Sequence, residues 1–170
     1  MKTFKKSIYF LLLFTAVAVS SCSNDDDNND DEGQNNNNGG TEFLTAKVDG
    51  TDFEAAQDPA IIVGATVSNN IMAFQGGKNN GETIRGTIND YNGVGTYLTG
   101  NDISNLNSLG YITLTPVAVW TSTFDIGSGM IEVTFDDGNT IEGTFTFEGF
   151  NAQDQTTKTV TQGNFKAIIE

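Results

Sequence analysis

The chain has 170 residues, with eight Lys/Arg against 22 Asp/Glu, no histidine and one cysteine. Without histidine or a second cysteine, Ser-His-Asp and Cys-His catalysis, histidine-based zinc sites and an internal disulfide are all excluded. The acidic excess excludes a general nucleic-acid binder, since no basic patch is available to displace counterions from phosphate.

Lys2, Lys5 and Lys6 form a basic start, and an apolar stretch follows from Ile8 to Val19, broken only by Thr15. Val19-Ser20-Ser21-Cys22 then supplies the small residues required beside a signal-peptidase cut. A cut between Ser21 and Cys22 that runs straight into cysteine resembles the lipobox of bacterial lipoproteins. There the thiol receives a diacylglycerol and becomes the first mature residue. The apolar run, about twelve residues, is short of the ~20 that a spanning helix needs, which disfavours a transmembrane anchor. An ordinary cleaved signal is the other alternative, but it would leave Cys22 as a lone thiol in an oxidising compartment. The sequence therefore predicts a signal peptide over residues 1–21, lipid on Cys22 and anchorage in the outer membrane. The mature chain then holds five Lys/Arg against 22 Asp/Glu, a net charge of −17. That charge opposes docking to anionic lipid, so the lipid alone must anchor it.

Residues 23–40 contain no apolar side chain, so nothing offsets the entropy of ordering them. As a neutral coil this tether would span roughly 5–6 Å × √18, about 23 Å, and repulsion among its acids extends it. An acidic run just after the lipid cysteine resembles the surface-export signal of Bacteroidetes lipoproteins, with Asp25, Asp26 and Asp27 as the matching residues. Ser23, at the second mature position, does not resemble a retention aspartate. The alternatives are a plain solvating spacer and a calcium loop over Asp27, Asn29 and Asp31, whose glycine and terminal glutamate fall at the wrong offsets.

Residues 41–170 are rich in β-branched and aromatic residues, punctuated by glycine, and alternate with period two. Leu44-Ala46-Val48 share one face, and Asp49-Gly50 supplies a type I′ turn. That register pairs Ala46 with Phe53 and Lys47 with Asp52. Val63-Ala65-Val67 returns as Met72-Phe74 through Asn69-Asn70, since asparagine tolerates positive φ. Ile84-Gly86-Ile88, Tyr97-Leu98, Ile112-Leu114 and Val117 to Phe124 mark further strands. Ile131-Val133-Phe135 faces Ile141-Gly143-Phe145-Phe147 across a three-residue loop, Asp136 to Gly138, which puts Val133 opposite Ile141. The last pair is Thr157 to Thr161 and Asn164 to Ile169. About nine to ten short antiparallel strands predict an all-β domain, a sandwich or an irregular barrel.

Gly143-Thr144-Phe145-Thr146-Phe147, Asn151 and Val160-Thr161-Gln162-Gly163-Asn164-Phe165 are similar to the C-terminal signature of an uncharacterised lipoprotein family of flavobacteria and relatives. Ala46-Lys47-Val48-Asp49-Gly50 with Phe53, and Gly95-Thr96-Tyr97, resemble its earlier motifs. The resemblance implies an exported all-β lipoprotein and carries no activity with it.

Few residues qualify as a site. Asp136-Asp137-Gly138-Asn139 reads as turn chemistry in preference to a calcium site, with Gly138 left-handed. Glu132, Glu142 and Glu148 alternate with core residues and belong on a solvated face, which argues against a catalytic carboxylate pair. Trp120 and Tyr111 are the ligand-binding candidates. Trp120 stacks on a ligand if Val117 and Val119 point inward, and fills the core if Val119 points out. Gly86, Gly95, Gly143 and Gly163 read as bends or bulges of a curved sheet. No catalytic residue, metal or cofactor is expected. The expectation is a non-enzymatic surface binding module for a glycan, a protein or a small apolar ligand. A carboxylate-dependent hydrolase and a passive structural protein are the rivals.

Overall fold

Local turn chemistry sets the first two registers. In the computed structural model, which describes residues 42–57 and 63–170, Asp49 and Gly50 take φ of 48° and 80°. This two-residue geometry matches the twist of a hairpin and joins β1 (Phe43–Val48) to β2 (Thr51–Glu54). Ala46 faces Phe53 and Lys47 faces Asp52, as the alternation predicts. Asn69 and Asn70, at φ 52° and 60°, join β3 (Gly64–Ser68) to β4 (Ile71–Gly77), with Val67 opposite Met72.

Seven more strands follow, and the described residues contain no helix: β5 (Thr83–Asn89), β6 (Gly95–Thr99), β7 (Ser108–Leu114), β8 (Val117–Thr123), β9 (Ser128–Asp136), β10 (Thr140–Asn151) and β11 (Thr156–Ile168). All eleven form one antiparallel sheet in the order β2-β1-β11-β10-β8-β7-β5-β4-β3, with β9 branching from β10 and β6 from β9. The branch arises because the long β10 serves two partners on one edge: Ile141 to Glu148 pair with β9, and Phe150 pairs with Thr121 of β8. A buried 2.6 Å hydrogen bond between the Thr99 and Ser122 hydroxyls ties the β6 arm back to β8. The sheet curls until its ends touch. Ala65 bridges Ile169, the Glu170 amide donates to the Ala65 carbonyl at 3.0 Å, and the Ala56 amide donates to the Gly77 carbonyl at 2.8 Å. The all-β expectation holds, and a curled sheet closing on itself is the barrel-like of the two architectures.

One apolar cluster fills the curl, centred on Phe74, Phe145 and Phe165. Phe74 and Phe165 stack with centroids 4.1 Å apart, and Phe145 lies 5.6 Å from Phe74. Each ring sits over a glycine in its direct cross-strand position: Phe74 over Gly86, Phe165 over Gly143, Phe145 over Gly163. A methyl group added at Gly86 would lie 2.3 Å from the Phe74 ring, inside any tolerable contact. These three glycines are seats for aromatic rings. That corrects the expectation of bends or bulges for Gly86 and enlarges it for Gly143 and Gly163, each of which also lies at a register shift.

Two registers also differ from expectation. The last hairpin is instead one strand, β11, because Gln162 (φ 53°) and Gly163 form a bulge and do not reverse the chain. Both neighbours skip a residue there: Phe145 and Phe147 of β10 pair with Gly163 and Val160, and Thr45 and Lys47 of β1 pair with Asn164 and Thr161. A bulge bends a strand without ending it. In β9, Thr134 is the extra residue, so Val133 faces Gly143 and not Ile141. Past that bulge the alternation inverts, and Phe135, expected inside, is 43% exposed. Phe145 and Phe147 are buried as the alternation predicts, Phe165 is buried with them, and Glu132 and Glu148 are exposed.

Candidate functional site: an outer groove around Arg85

Ser21, Cys22, Asp25, Asp26 and Asp27 lie outside the described residues. Tyr111 and Trp120 lie within them, directly opposite one another on β7 and β8. Trp120 is 7% exposed while Val119 is 37% exposed, so the indole fills the core and no exposed indole platform forms. Tyr111 stacks on Trp120 at 5.7 Å and meets the Phe53 ring edge-on at 6.5 Å. The indole N–H donates to Thr156 Oγ1 at 2.8 Å.

Phe53 and Tyr111 line a small pit of about 240 Å³ together with the charged side chains of Asp49, Asp52, Lys78, Glu82 and Lys158. Lys78 lies 4.8 Å from the Phe53 centroid and Lys158 lies 5.5 Å from that of Trp120, both within cation–π reach. Each ammonium is also held by a carboxylate: Lys78 by Glu82 at 3.0 Å and Lys158 by Asp49 at 2.7 Å. The Lys158 ammonium and the Thr159 amide hold the Asp49 carboxyl below its usual range. Burial pulls Glu82 upward, yet bonds from Lys78, Asn80 and Tyr111 bring it net downward. Burial first, and then the charge and hydrogen bond of Glu82, push Tyr111 up to about 12. Every strong donor here already has its acceptor. The pit is a self-satisfied cluster, and it stabilises rather than offers chemistry.

The loop Asp136 to Asn139 is likewise consumed, by its own turn and by the Tyr91 hydroxyl, which donates to Asp136 Oδ2 at 2.6 Å. Asp136 Oδ1 accepts from the Gly138 amide at 2.9 Å, and Asp137 Oδ1 from the Asn139 and Thr140 amides at 3.0 and 2.7 Å. Gly138 takes φ 82°, as the turn reading predicts. Among the described residues no three acidic or sulfur-bearing side chains gather as a metal site would require.

Unspent chemistry appears on the other side of the sheet. Five Lys/Arg follow Cys22, and four of them form ion pairs: Lys47 with Asp52, Lys78 with Glu82, Lys158 with Asp49 and Lys166 with Glu142. Arg85 is the fifth, and among the described residues it has no acidic partner within ion-pair distance. It lies in an open groove of about 540 Å³ over β3, β4, β5 and β7. Alternation creates that groove. Phe74 and Gly86 point into the core, so Ala73, Gln75, Arg85 and Thr87 face outward.

Register arranges these outward residues in two rows across the strands. One row runs Thr66, Ala73, Thr87, Ser108, and the other Gly64, Gln75, Arg85, Gly110. Arg85 has Gly110 directly opposite it on β7 and Gln75 on β4, and the glycine leaves the backbone beside it uncovered by a side chain. Among the described residues, Thr66, Gln75, Arg85, Thr87 and Ser108 spend no side-chain hydrogen bond on the protein itself. The five neighbouring strands β8-β7-β5-β4-β3 carry no Asp or Glu, and Arg85 is their one charge. Glu170 lines one end of the groove. Sequence reading did not single out Arg85. The available signal was a set of strands free of acids inside a strongly acidic chain.

A family model described as a domain of unknown function (DUF6252) matches residues 40–169. The chain belongs to this family. The match spans the whole described sheet, so the family's domain and the curled sheet are one unit. Comparison with curated proteins and with solved structures finds no match for this DUF6252 protein.

Proposed function

We propose that this protein is a lipid-anchored, surface-displayed binding module of a bacterial outer membrane, without catalytic activity of its own. The observation that carries the binding reading is the outer groove: about 540 Å³ of concave surface, lined by hydroxyl, amide and guanidinium groups that have no partner among the described residues. A ligand that satisfies them gains hydrogen bonds that cost the fold nothing. The anchoring reading is carried by Cys22 at the end of a leader with small residues before it, and the display reading by Asp25, Asp26 and Asp27.

Each part has its own test. Cys22→Ala is expected to leave the domain folded while the protein moves from the membrane to the soluble fraction; membrane retention of the variant removes the lipobox reading. Changing Asp25, Asp26 and Asp27 together to Asn is expected to keep the protein membrane-bound but shield it from protease added to whole cells. Equal shaving of wild type and variant makes the acids a spacer. For binding, full-length protein in detergent is profiled against glycan and protein panels. Thr87→Trp fills the groove and is expected to abolish whatever binding the wild type shows; binding that survives Thr87→Trp lies elsewhere.

A further inference from the structure

We infer that the groove takes an acidic saccharide, a ligand bearing isolated carboxylates among many hydroxyls, and that Arg85 reads the carboxylate. The inference rests on the binding-module reading above and adds the ligand's chemical class. Two observations and the chemistry of the guanidinium point the same way. Among the described residues, Arg85 is the cation left without a carboxylate, while the other four that follow Cys22 are paired. An unpartnered guanidinium presents a planar fork that matches a carboxylate in two parallel hydrogen bonds. The strands around it carry no acid, so this face is where an anion approaches an otherwise repulsive molecule with least opposition.

The remaining lining selects among anions. Thr66, Gln75, Thr87 and Ser108 offer neutral donors and acceptors at the spacing of neighbouring strands, about 4.8 Å, which suits a run of sugar hydroxyls. A densely charged polyanion such as nucleic acid finds one cation here, against acids everywhere else. An extended peptide would pair with a free strand edge, whereas this groove lies on a sheet face whose backbone bonds are already made in the ladder. Glu170 at one end excludes a second carboxylate from that end, which favours charge at intervals over charge at every unit.

The test uses full-length protein in detergent and immobilised oligosaccharides in matched pairs. Uronate and sialyl oligomers form the acidic members, and their methyl esters form the neutral ones. A poly-glutamate peptide represents the competing class. The expected result is retention of at least one acidic member, about tenfold or more above its ester, weakening as salt is raised. Arg85→Gln is expected to remove that preference, and Arg85→Lys to restore part of it, with the folded spectrum of both variants unchanged. Equal binding of acid and ester that Thr87→Trp abolishes overturns the carboxylate inference and leaves the binding-module reading standing. Poly-glutamate binding as well as the best saccharide overturns the saccharide class. Failure of every acidic member overturns the inference, and failure of the neutral glycan and protein panels as well removes the binding-module reading with it.

Discussion

Strands β4 and β5 have two faces that obey opposite rules, one residue apart in sequence. Inside, Phe74 lies on Gly86 and against Phe165, with no room for a methyl group. Outside, Gln75 and Arg85 stand opposite each other with small neighbours and open space. The inner face is over-determined, since each ring is fixed by the glycine beneath it and the rings beside it. The outer face is under-determined: its polar groups have no partner among the described residues and stay available to a ligand. Stability and recognition are thus carried by alternate residues of the same strands.

That contrast can be broken from the inside first. Truncation of a buried Phe typically costs about 3–5 kcal/mol, so Phe165→Ala is expected to lower the denaturant midpoint by a corresponding amount without changing the outer groove. A loss under 1 kcal/mol would mean that the ring stack is not the centre of the core. Gly86→Ala is expected to cost about 1–3 kcal/mol by overpacking, because all of its close contacts are to the Phe74 ring. In a Phe74→Leu background the same change should cost much less, and a double-mutant cycle reads that coupling directly. Additive losses would show that Gly86 is needed for its backbone alone.

The charged pit supplies a pH signature. The Asp49 carboxyl is held down in the fold, so its contribution is complete above the ordinary carboxyl value, about 3.8, and is lost as pH falls below it. Tyr111 is pushed up to about 12, so its contribution is complete below the ordinary phenol value, about 10, and is lost between about 10 and 12. Stability measured against pH should therefore decline on both limbs, with Asp49→Asn removing part of the acid limb and Tyr111→Phe part of the alkaline one, to which Tyr91, held upward by burial and by Asp136, also contributes. If neither substitution changes its limb, the pit contributes nothing through ionisation. The smallest expected effect is that of Arg85→Gln, within about 0.5 kcal/mol of wild type. A larger loss would give Arg85 a structural role and erase the contrast between the two faces.

Residues that carry local chemistry were legible in the sequence, and those that depend on a distant partner were not. Asp49-Gly50 and Asn69-Asn70 specify their turns, and Lys47 opposite Asp52 confirms a register without any tertiary knowledge. The extra residue Thr134 escaped because it has no compositional mark and shows only as a shift against β10. Gly163 reads locally as a bend or bulge, but nothing local says that the strand runs on through it. Gly86, Gly143 and Gly163 look like flexible points until the cross-strand phenylalanine is known. Trp120 was ambiguous because Val117 and Val119 are as apolar as it is, and alternation alone does not say which set points inward. Arg85 was invisible for a different reason. Its interest lies in what the other four cations do, and their partners are fixed only by the folded pairing.

The placement of β11 has a kinetic consequence. It lies between β1 and β10, and Phe43 pairs with Lys166 although more than a hundred residues separate them. Contacts of that separation carry a large loop-closure cost and slow the search for the native topology. A chain made from its N-terminus has the β1–β2 hairpin early, with one edge of β1 waiting for β11, the last strand of the sheet. No early portion can seal the curl, which closes only once β11 has been added between β1 and β10.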